Sequence, residues 1–197
     1  MPIHILVVFF LTCLIGGNSL AEQDVVVAVR EVGEGFLVEA TVKAPVSRQT
    51  AWEVLVDYDH MTTILSNLTA SQVARRNGNV LIVRQEGIAR FGLFSYPFQV
   101  EREIRLEPMQ RILTKNLSGS LKRMESEVRL KPSGNGSPVV IEYRAEFVFG
   151  SILAGLFAVS FLNHEVEEQF QSMLAEMKRR DAQLISGAPQ QPQKTGE

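Results

Sequence analysis

The chain has 197 residues, a formal net charge of −2 and one cysteine, Cys13. This length suits a single domain with its own hydrophobic core. The nearly balanced charge, without a basic stripe, argues against nucleic-acid binding, and a lone cysteine cannot form an intramolecular disulfide.

The N-terminal segment predicts export. Residues 1–21 contain no Asp, Glu, Lys or Arg, and Ile5–Ile15 is almost wholly apolar. Ser19 and Ala21 place small residues at the two positions that a signal peptidase reads, so we expect cleavage after Ala21 and a periplasmic or secreted protein. A retained anchor is the alternative, although the apolar run is shorter than the roughly 20 residues that a membrane span needs.

The mature chain begins with two β-prone segments, Val25–Val29 and Phe36–Lys43. Pro45 and Ser47 then predict the end of a strand and the start of a helix, with Ser47 as the N-cap. A second short helix is expected around residues 57–65. Turn residues separate the segments that follow, a pattern typical of an antiparallel meander.

A charged residue interrupts the apolar face of one predicted strand. Residues 98–106 alternate between apolar and polar side chains, and Arg102 falls among the apolar ones. A buried guanidinium needs a polar partner. Two interpretations are open: Arg102 forms a stabilising ion pair, with Glu86 or Glu127 as the candidate carboxylates, or it is a polar anchor inside a hydrophobic cavity.

A long helix is predicted at the C-terminus. Its apolar stripe comprises Ile152, Leu156, Val159, Asn163, Val166, Phe170, Met173 and Met177. Residues 152–162 are apolar on all sides, which predicts a cover: a loop, a partner or a membrane surface. Asn163 could pair with Arg102, bind a ligand carbonyl or contact the backbone. Residues 183–197, ending in a segment rich in Pro and Gln, are predicted to be a disordered tail.

Catalytic motifs are scarce in the sequence. Asp57, Tyr58, Asp59 and His60 bring two carboxylates, a phenol and an imidazole together, but adjacent helical residues point in different directions. We therefore expect helix capping by Asp57 or Asp59, with His60 in solvent. His164 is expected at the surface, beside Glu168. No metal-ligand spacing, phosphate-binding loop or cofactor motif stands out, so no metal or cofactor is predicted.

Several segments together resemble one known family. The matching stretches lie at residues 51–59, 83–87, 91–97, 111–112 with Gly119, and 143–145, and the resemblance spans most of residues 36–180. In these the chain is similar to the START-like (helix-grip, SRPBCC) superfamily, specifically to polyketide cyclases, dehydrases and coenzyme Q-binding proteins. One departure is Ser66-Asn67, where the family often places proline after an apolar residue.

The resemblance implies an α+β helix-grip fold, in which a curved antiparallel β-sheet wraps around a long C-terminal helix, with two short helices after the first strand. Such a domain is expected over residues 22–182, with a pocket between the sheet and the helix for lipids, quinones or polyketide-like molecules. Plain core packing is the other interpretation for each aromatic candidate. The candidate ligand-binding residues are Gln85, Phe91, Phe94, Tyr96, Phe98, Arg102, Tyr143, Phe147 and Asn163.

Two functions fit this expectation. In the first, the protein is a carrier or chaperone that shields an apolar molecule from water without chemistry, and peripheral membrane contact is compatible with it. In the second, it is a polyketide cyclase or dehydratase that moves protons with Arg102, Tyr143 or His60. The scarcity of acid–base groups favours the carrier.

Overall fold

The computed structural model describes residues 23–132, 138–149 and 158–187. A hairpin of two strands is followed by two short helices, six further strands and one long helix. In chain order the elements are β1 (Val25–Val32), β2 (Gly35–Ala44), α1 (Arg48–Leu55), a 3₁₀ turn (Tyr58–His60), α2 (Met61–Ile64), β3 (Leu68–Asn77), β4 (Val80–Phe91), β5 (Phe94–Glu107), β6 (Arg111–Gly119), β7 (Leu121–Pro132), β8 (Val139–Phe149) and α3 (Ala158–Gly187).

All eight strands form one curved, open sheet in the order β1-β2-β8-β7-β6-β5-β4-β3, and every pair of neighbours is antiparallel. The strands from β3 to β8 pair in chain order, which confirms the predicted meander. The pairing of β8 with β2 joins this meander to the first hairpin. The sheet and α3 together confirm the helix-grip fold.

Helix α1 begins where the sequence predicts. The Ser47 hydroxyl accepts a hydrogen bond from the Thr50 backbone N–H at 3.0 Å, so Ser47 is the N-cap. Trp52 and Leu55 lie on the buried face of the helix. This capped helix fixes the chain between the first hairpin and the meander.

The buried face of α3 differs in part from the predicted stripe. Val166, Phe170 and Met177 are buried, but Val159 is 38% exposed. The side chains that take the inward positions are Ala158, Leu162, Glu165, Val166, Phe170, Leu174 and Met177. The helix also continues to Gly187, so residues 183–187 are helical and the prediction of a disordered tail starting at 183 is wrong there. Ile152, Leu156 and the remaining apolar start lie outside the described residues.

Polar contacts tie the C-terminal half of α3 to α1 and the turn that follows it. The Arg180 guanidinium donates to Asp57 at 2.7 Å and to Glu176 at 2.6 Å. The Thr50 hydroxyl, which is fully buried, donates to the Asp181 carboxylate at 2.8 Å. This end of the helix is therefore held by charge-assisted hydrogen bonds as well as by apolar packing.

Among the described residues, no helix is both long enough and apolar enough to cross a membrane. The predicted leader and its cleavage position lie outside those residues.

Candidate ligand-binding site

The sheet turns one face, here called the concave face, towards α3. On β5 the predicted alternation is confirmed: Val100 and Ile104 are buried on this face, whereas Gln99 and Arg105 are exposed on the other. Arg102 shares the face of Val100 and Ile104. The backbone of α3 lies mainly against β1 and β2, at one side of the sheet.

Small side chains line the middle of this face. Thr114 on β6 pairs with Ser126 on β7, and Ser126 pairs with Ala145 on β8. Directly paired residues project to the same face, so the three lie side by side. They occupy less of the space beneath α3 than leucine or phenylalanine would. This geometry suits a pocket over β6, β7 and β8.

A chain of hydrogen bonds holds Arg102 at the border of this region. The Arg102 Nη1 donates to Gln85 Oε1 at 3.1 Å, and the Gln85 amide nitrogen donates to the Ser71 hydroxyl at 3.1 Å. Ser71 in turn donates to the Tyr58 carbonyl at 2.5 Å. Because the carbonyl can only accept, the direction of every bond is set, and the Gln85 oxygen must face Arg102.

The ion pair considered for Arg102 is not formed. Glu86 is exposed on the outer face of β4. Glu127 pairs with Arg129 at 2.8 Å and with Arg111 at 3.2 Å. Within the described residues no carboxylate lies within ion-pair distance of Arg102. The alternation of β4 and β7 explains this result, since both glutamates occupy outward positions.

The groups around Arg102 carry no compensating negative charge. Burial raises the pKa of Tyr143 to about 12, and burial also raises the pKa of Tyr58 above its ordinary value. Both phenols are therefore neutral at physiological pH. Burial lowers the pKa of Arg102, but an arginine side chain stays protonated in proteins. One cation thus faces neutral groups only.

Two buried polar atoms on neighbouring strands have no partner among the described residues: Arg102 Nε and Asn116 Oδ1. Asn116 is the register partner of Arg102 on β6, next to a bulge between β5 and β6, so both side chains share the concave face. The Asn116 amide nitrogen donates to the Leu121 carbonyl at 3.2 Å, which leaves its oxygen free. The same face of adjacent strands therefore carries an unmatched donor and an unmatched acceptor that do not bond to each other.

Tyr143 lies between this polar group and α3. Its ring meets the Phe170 ring edge to face, with centroids 5.3 Å apart. Phe147 lies on the same strand and stacks with Phe149 at 6.5 Å. Both predicted residues thus lie on the concave face beneath the helix.

The aromatic candidates of the β4–β5 hairpin occupy its far end. Phe91 and Phe94 are register partners there, and their side chains lie outside the described part of the structure. Tyr96 is 47% exposed, and Phe98 is half-buried against the core. The interpretation of this group as a pocket mouth stays a prediction.

Two other polar candidates lie away from Arg102. Asn163 donates to the Val27 carbonyl at 3.3 Å, so it makes the backbone contact that was one of its alternatives. His60 is exposed and lies 2.7 Å from Asp57. Asp57 makes no side-chain cap, so capping by Asp57 is wrong, and Asp59 accepts from the Val73 N–H at 2.7 Å instead. The expected separation therefore holds only in part, because Asp57 and His60 are in contact whereas Asp59 bonds to β3. As predicted, His164 lies at the surface, 3.6 Å from Glu168.

The sequence analysis missed a buried carboxyl, Glu165 on α3. It accepts a hydrogen bond from the Asn67 side chain at 3.0 Å, and burial raises its pKa. Glu165 lies three residues after the apolar Leu162, and this helical spacing was the signal in the sequence that indicated its burial. Asn67 comes from the loop that departs from the family pattern.

This loop rests on β4 at Gly87. A side-chain carbon at Gly87 would lie 2.2 Å from the Asn67 carbonyl, which accepts from the Ile88 N–H at 2.8 Å. Glycine is therefore required for the approach. The loop and Glu165 together join α3 to the edge of the concave face, at the side of the β4–β5 hairpin.

Within the described ranges, no cluster of three or more His, Cys, Asp or Glu could hold a metal ion. The chemistry on the concave face is that of a recessed guanidinium, two neutral phenols and amide groups. Such a set binds an acceptor or an anion more readily than it transfers protons near neutral pH.

The fold and this recessed polar group in an apolar concave face define a START-like helix-grip protein. Residues 36–180 match the family described as "Polyketide cyclase / dehydrase and lipid transport", and the chain belongs to that family. No curated protein matches the chain significantly.

Solved structures share the fold at low identity. The Zhui aromatase/cyclase from Streptomyces sp. R1128 is 19% identical, with a TM-score of 0.61 over 73% of this chain and 94% of its own. Human STARD10 is 14% identical, with a TM-score of 0.63 over 85% and 74%. A STAR-related lipid transfer protein from Xanthomonas axonopodis is 12% identical, with a TM-score of 0.60 over 79% and 94%.

Proposed function

We propose that this protein binds a hydrophobic small molecule between the concave face and α3, and acts as a carrier or chaperone without chemistry. The observation that carries the proposal is Arg102: a guanidinium on an apolar face, held by one neutral protein acceptor. A scaffold arginine would be expected to meet a carboxylate. The small side chains of Thr114, Ser126 and Ala145 beside it support the same proposal.

Access to the pocket is proposed at one end of the sheet, here called the apolar end. The β1–β2, β4–β5 and β6–β7 turns and the start of α3 meet there. It carries five of the large exposed apolar residues: Val32, Leu93, Tyr96, Leu117 and Val159. Exposed apolar side chains gathered at one end favour brief contact with a lipid surface, through which a ligand could be exchanged.

Export to the periplasm is part of the proposal and rests on the uncharged leader alone. The expected mature N-terminus is Glu22. Intact-mass measurement of protein from the periplasmic fraction of the natural host tests it. A mass that retains Met1 or Cys13, found in the membrane fraction, would establish an anchored form instead.

The binding proposal is tested by organic extraction of protein purified from its own host, followed by mass spectrometry. We expect an apolar molecule in near-stoichiometric amount. Ser126→Phe should fill the space beneath α3 and abolish recovery, whereas Ser118→Phe, at an exposed position on β6, should not. A wild-type protein that yields no extract and binds no apolar fluorescent probe would refute the proposal.

A cyclase or dehydratase is the second candidate, since a guanidinium near a neutral phenol could stabilise an enolate oxygen. Against it, no histidine or carboxylate among the described residues is hydrogen-bonded to Arg102 or to the Tyr143 hydroxyl. Turnover of a poly-β-ketone substrate by wild type but not by Tyr143→Phe, with equal binding, would favour the enzyme.

A further inference from the structure

The charge balance on the concave face restricts the chemical class of ligand. Arg102 brings one positive charge and five N–H donors into an apolar region. One donor is satisfied by Gln85, a neutral amide, and Nε is buried without a partner among the described residues. The hydrogen bonds from Gln85 to Ser71 and from Ser71 to the Tyr58 carbonyl fix the orientation of the Gln85 amide. Gln85 therefore presents only its oxygen to Arg102.

Among the described residues, no neighbouring side chain supplies the missing negative charge. The outward glutamates are engaged elsewhere or exposed, and the phenols of Tyr58 and Tyr143 remain protonated. A neutral ligand that displaces water from the guanidinium would leave the cation uncompensated, which is costly. An ionised carboxyl group would match the single charge and accept from the guanidinium with a strong, charge-assisted bond.

We propose that the ligand of this pocket is an amphipathic carboxylic acid, whose ionised carboxyl group accepts hydrogen bonds from Arg102 while its apolar body lies under α3. This inference rests on the proposed binding function and names its ligand class. By the same argument we expect neutral lipids and quinones to bind less tightly than the acid. The Asn116 oxygen is an acceptor and does not bind the carboxylate, but it can accept from a hydroxyl group elsewhere on the same molecule.

A matched pair of probes tests the charge requirement in the full-length processed protein. The probes are a fluorescent long-chain fatty acid and its methyl ester, which differ in the ionisable group alone. We expect the acid to bind at least about tenfold more tightly at pH 7.5, and this preference to shrink as pH falls through the ionisation of the probe carboxyl group. Equal affinity of acid and ester would overturn the inference and leave the binding function standing.

Variants locate the effect at Arg102. Arg102→Met should abolish the preference for the acid while retaining ester binding, and Arg102→Lys should keep it in reduced form. The control is Arg105→Met, which makes the same change on the outer face of β5, where Arg105 pairs with Glu103 at 2.9 Å. A preference that survives in Arg102→Met would overturn the assignment. If Arg102→Met does not fold, the acid and ester affinities of the wild type and of Arg102→Lys test the assignment instead.

A third probe tests whether the ligand carries a carboxylate or a phosphate group. A lysophospholipid with a phosphate monoester of equal chain length carries nearly two charges against the single cation. We expect it to bind more weakly than the fatty acid. Tighter binding of the phosphate probe would overturn the carboxylate assignment. Binding of neither acid nor ester would refute the proposed function as well, which separates the two failures.

Discussion

The two ends of α3 are held by different forces. At the C-terminal end, Arg180 and Asp181 join the helix to α1 and the following turn through buried or partly buried polar bonds. At the other end the helix meets hairpin turns whose apolar side chains are exposed, and Asn163 and Glu165 make the polar contacts. A helix held by ionic contacts at one end, and bordered by exposed apolar turns at the other, suits the proposed pocket, which would open without unfolding.

The largest effect is expected in the apolar packing of the fixed end. Met177 is 1% exposed, and Met177→Ala should lower the free energy of unfolding by about 2–5 kcal/mol, because it leaves a cavity in the core. Leu184→Ala on the same helix, where the side chain is 62% exposed, should change it little. Urea unfolding of both variants checks this. A small loss for Met177→Ala would mean that the end is not firmly packed.

The next effect concerns the ionic contacts of the same end. Arg180→Met should cost about 1.5–3 kcal/mol, since it removes charge-assisted bonds to Asp57 and Glu176. Arg179→Met, which removes a more exposed partner of Glu176, should cost about 0–1 kcal/mol. Chemical unfolding at pH 7 compares them, and equal losses would contradict the special role of Arg180.

The pH dependence of that contact has a definite sign. The hydrogen bond from Arg179, together with that from Arg180, lowers the pKa of Glu176 to about 2 from an ordinary value of 4.5. A lowered carboxyl pKa stabilises the fold above the unfolded-state value, and this stabilisation is lost as pH falls from about 4.5 to about 2. The difference between wild type and Arg180→Met should shrink across that window.

At the open end, removing a charge should stabilise the protein. Burial raises the pKa of Glu165, so ionisation of this carboxyl group favours the unfolded chain and stability falls as pH rises above about 4.5 towards the raised pKa. Glu165→Gln should therefore be more stable than the wild type at pH 7 and should lose this pH slope. Glu168→Gln, at an exposed neighbour, should do neither. Thermal melts from pH 4 to pH 8 test the sign.

The smallest change in stability is expected at the apolar end itself. Leu93→Ser with Tyr96→Ser should alter the free energy of unfolding by no more than about 0.5 kcal/mol, because both side chains are largely exposed. Transfer of a fluorescent apolar probe between vesicles should nevertheless slow severalfold. Leu184→Ser with Ile185→Ser makes a matched change at the fixed end, and should leave transfer unaffected. Equal slowing by both pairs would remove the distinction between the ends.

The fold was predictable because its signals are local. The Ser47 cap, the alternation along β5 and the meander each follow from neighbouring residues. The face of α3 was predicted less well, since residues 152–162 are apolar on all sides and no polar residue marks the outer face there. Packing against β1 and β2 decides which of these side chains face the core.

The candidate site was predictable in part. Alternation placed Arg102 on the concave face, but its partner could not be read from β5 alone, since Gln85 and Ser71 belong to other strands. Glu165 escaped notice because its burial depends on Asn67, almost one hundred residues earlier. Register between distant segments determines such contacts, and a single sequence does not encode it in any local pattern.

The way α3 is attached to the sheet has a consequence for the range of ligand sizes. The strands are joined by continuous ladders of backbone hydrogen bonds, whereas among the described residues no backbone–backbone bond joins α3 to the sheet. Tilting the helix would exchange side-chain contacts and leave every ladder intact. In the proposed carrier, one sheet would therefore accommodate molecules of different length through a change in the tilt of the helix above it.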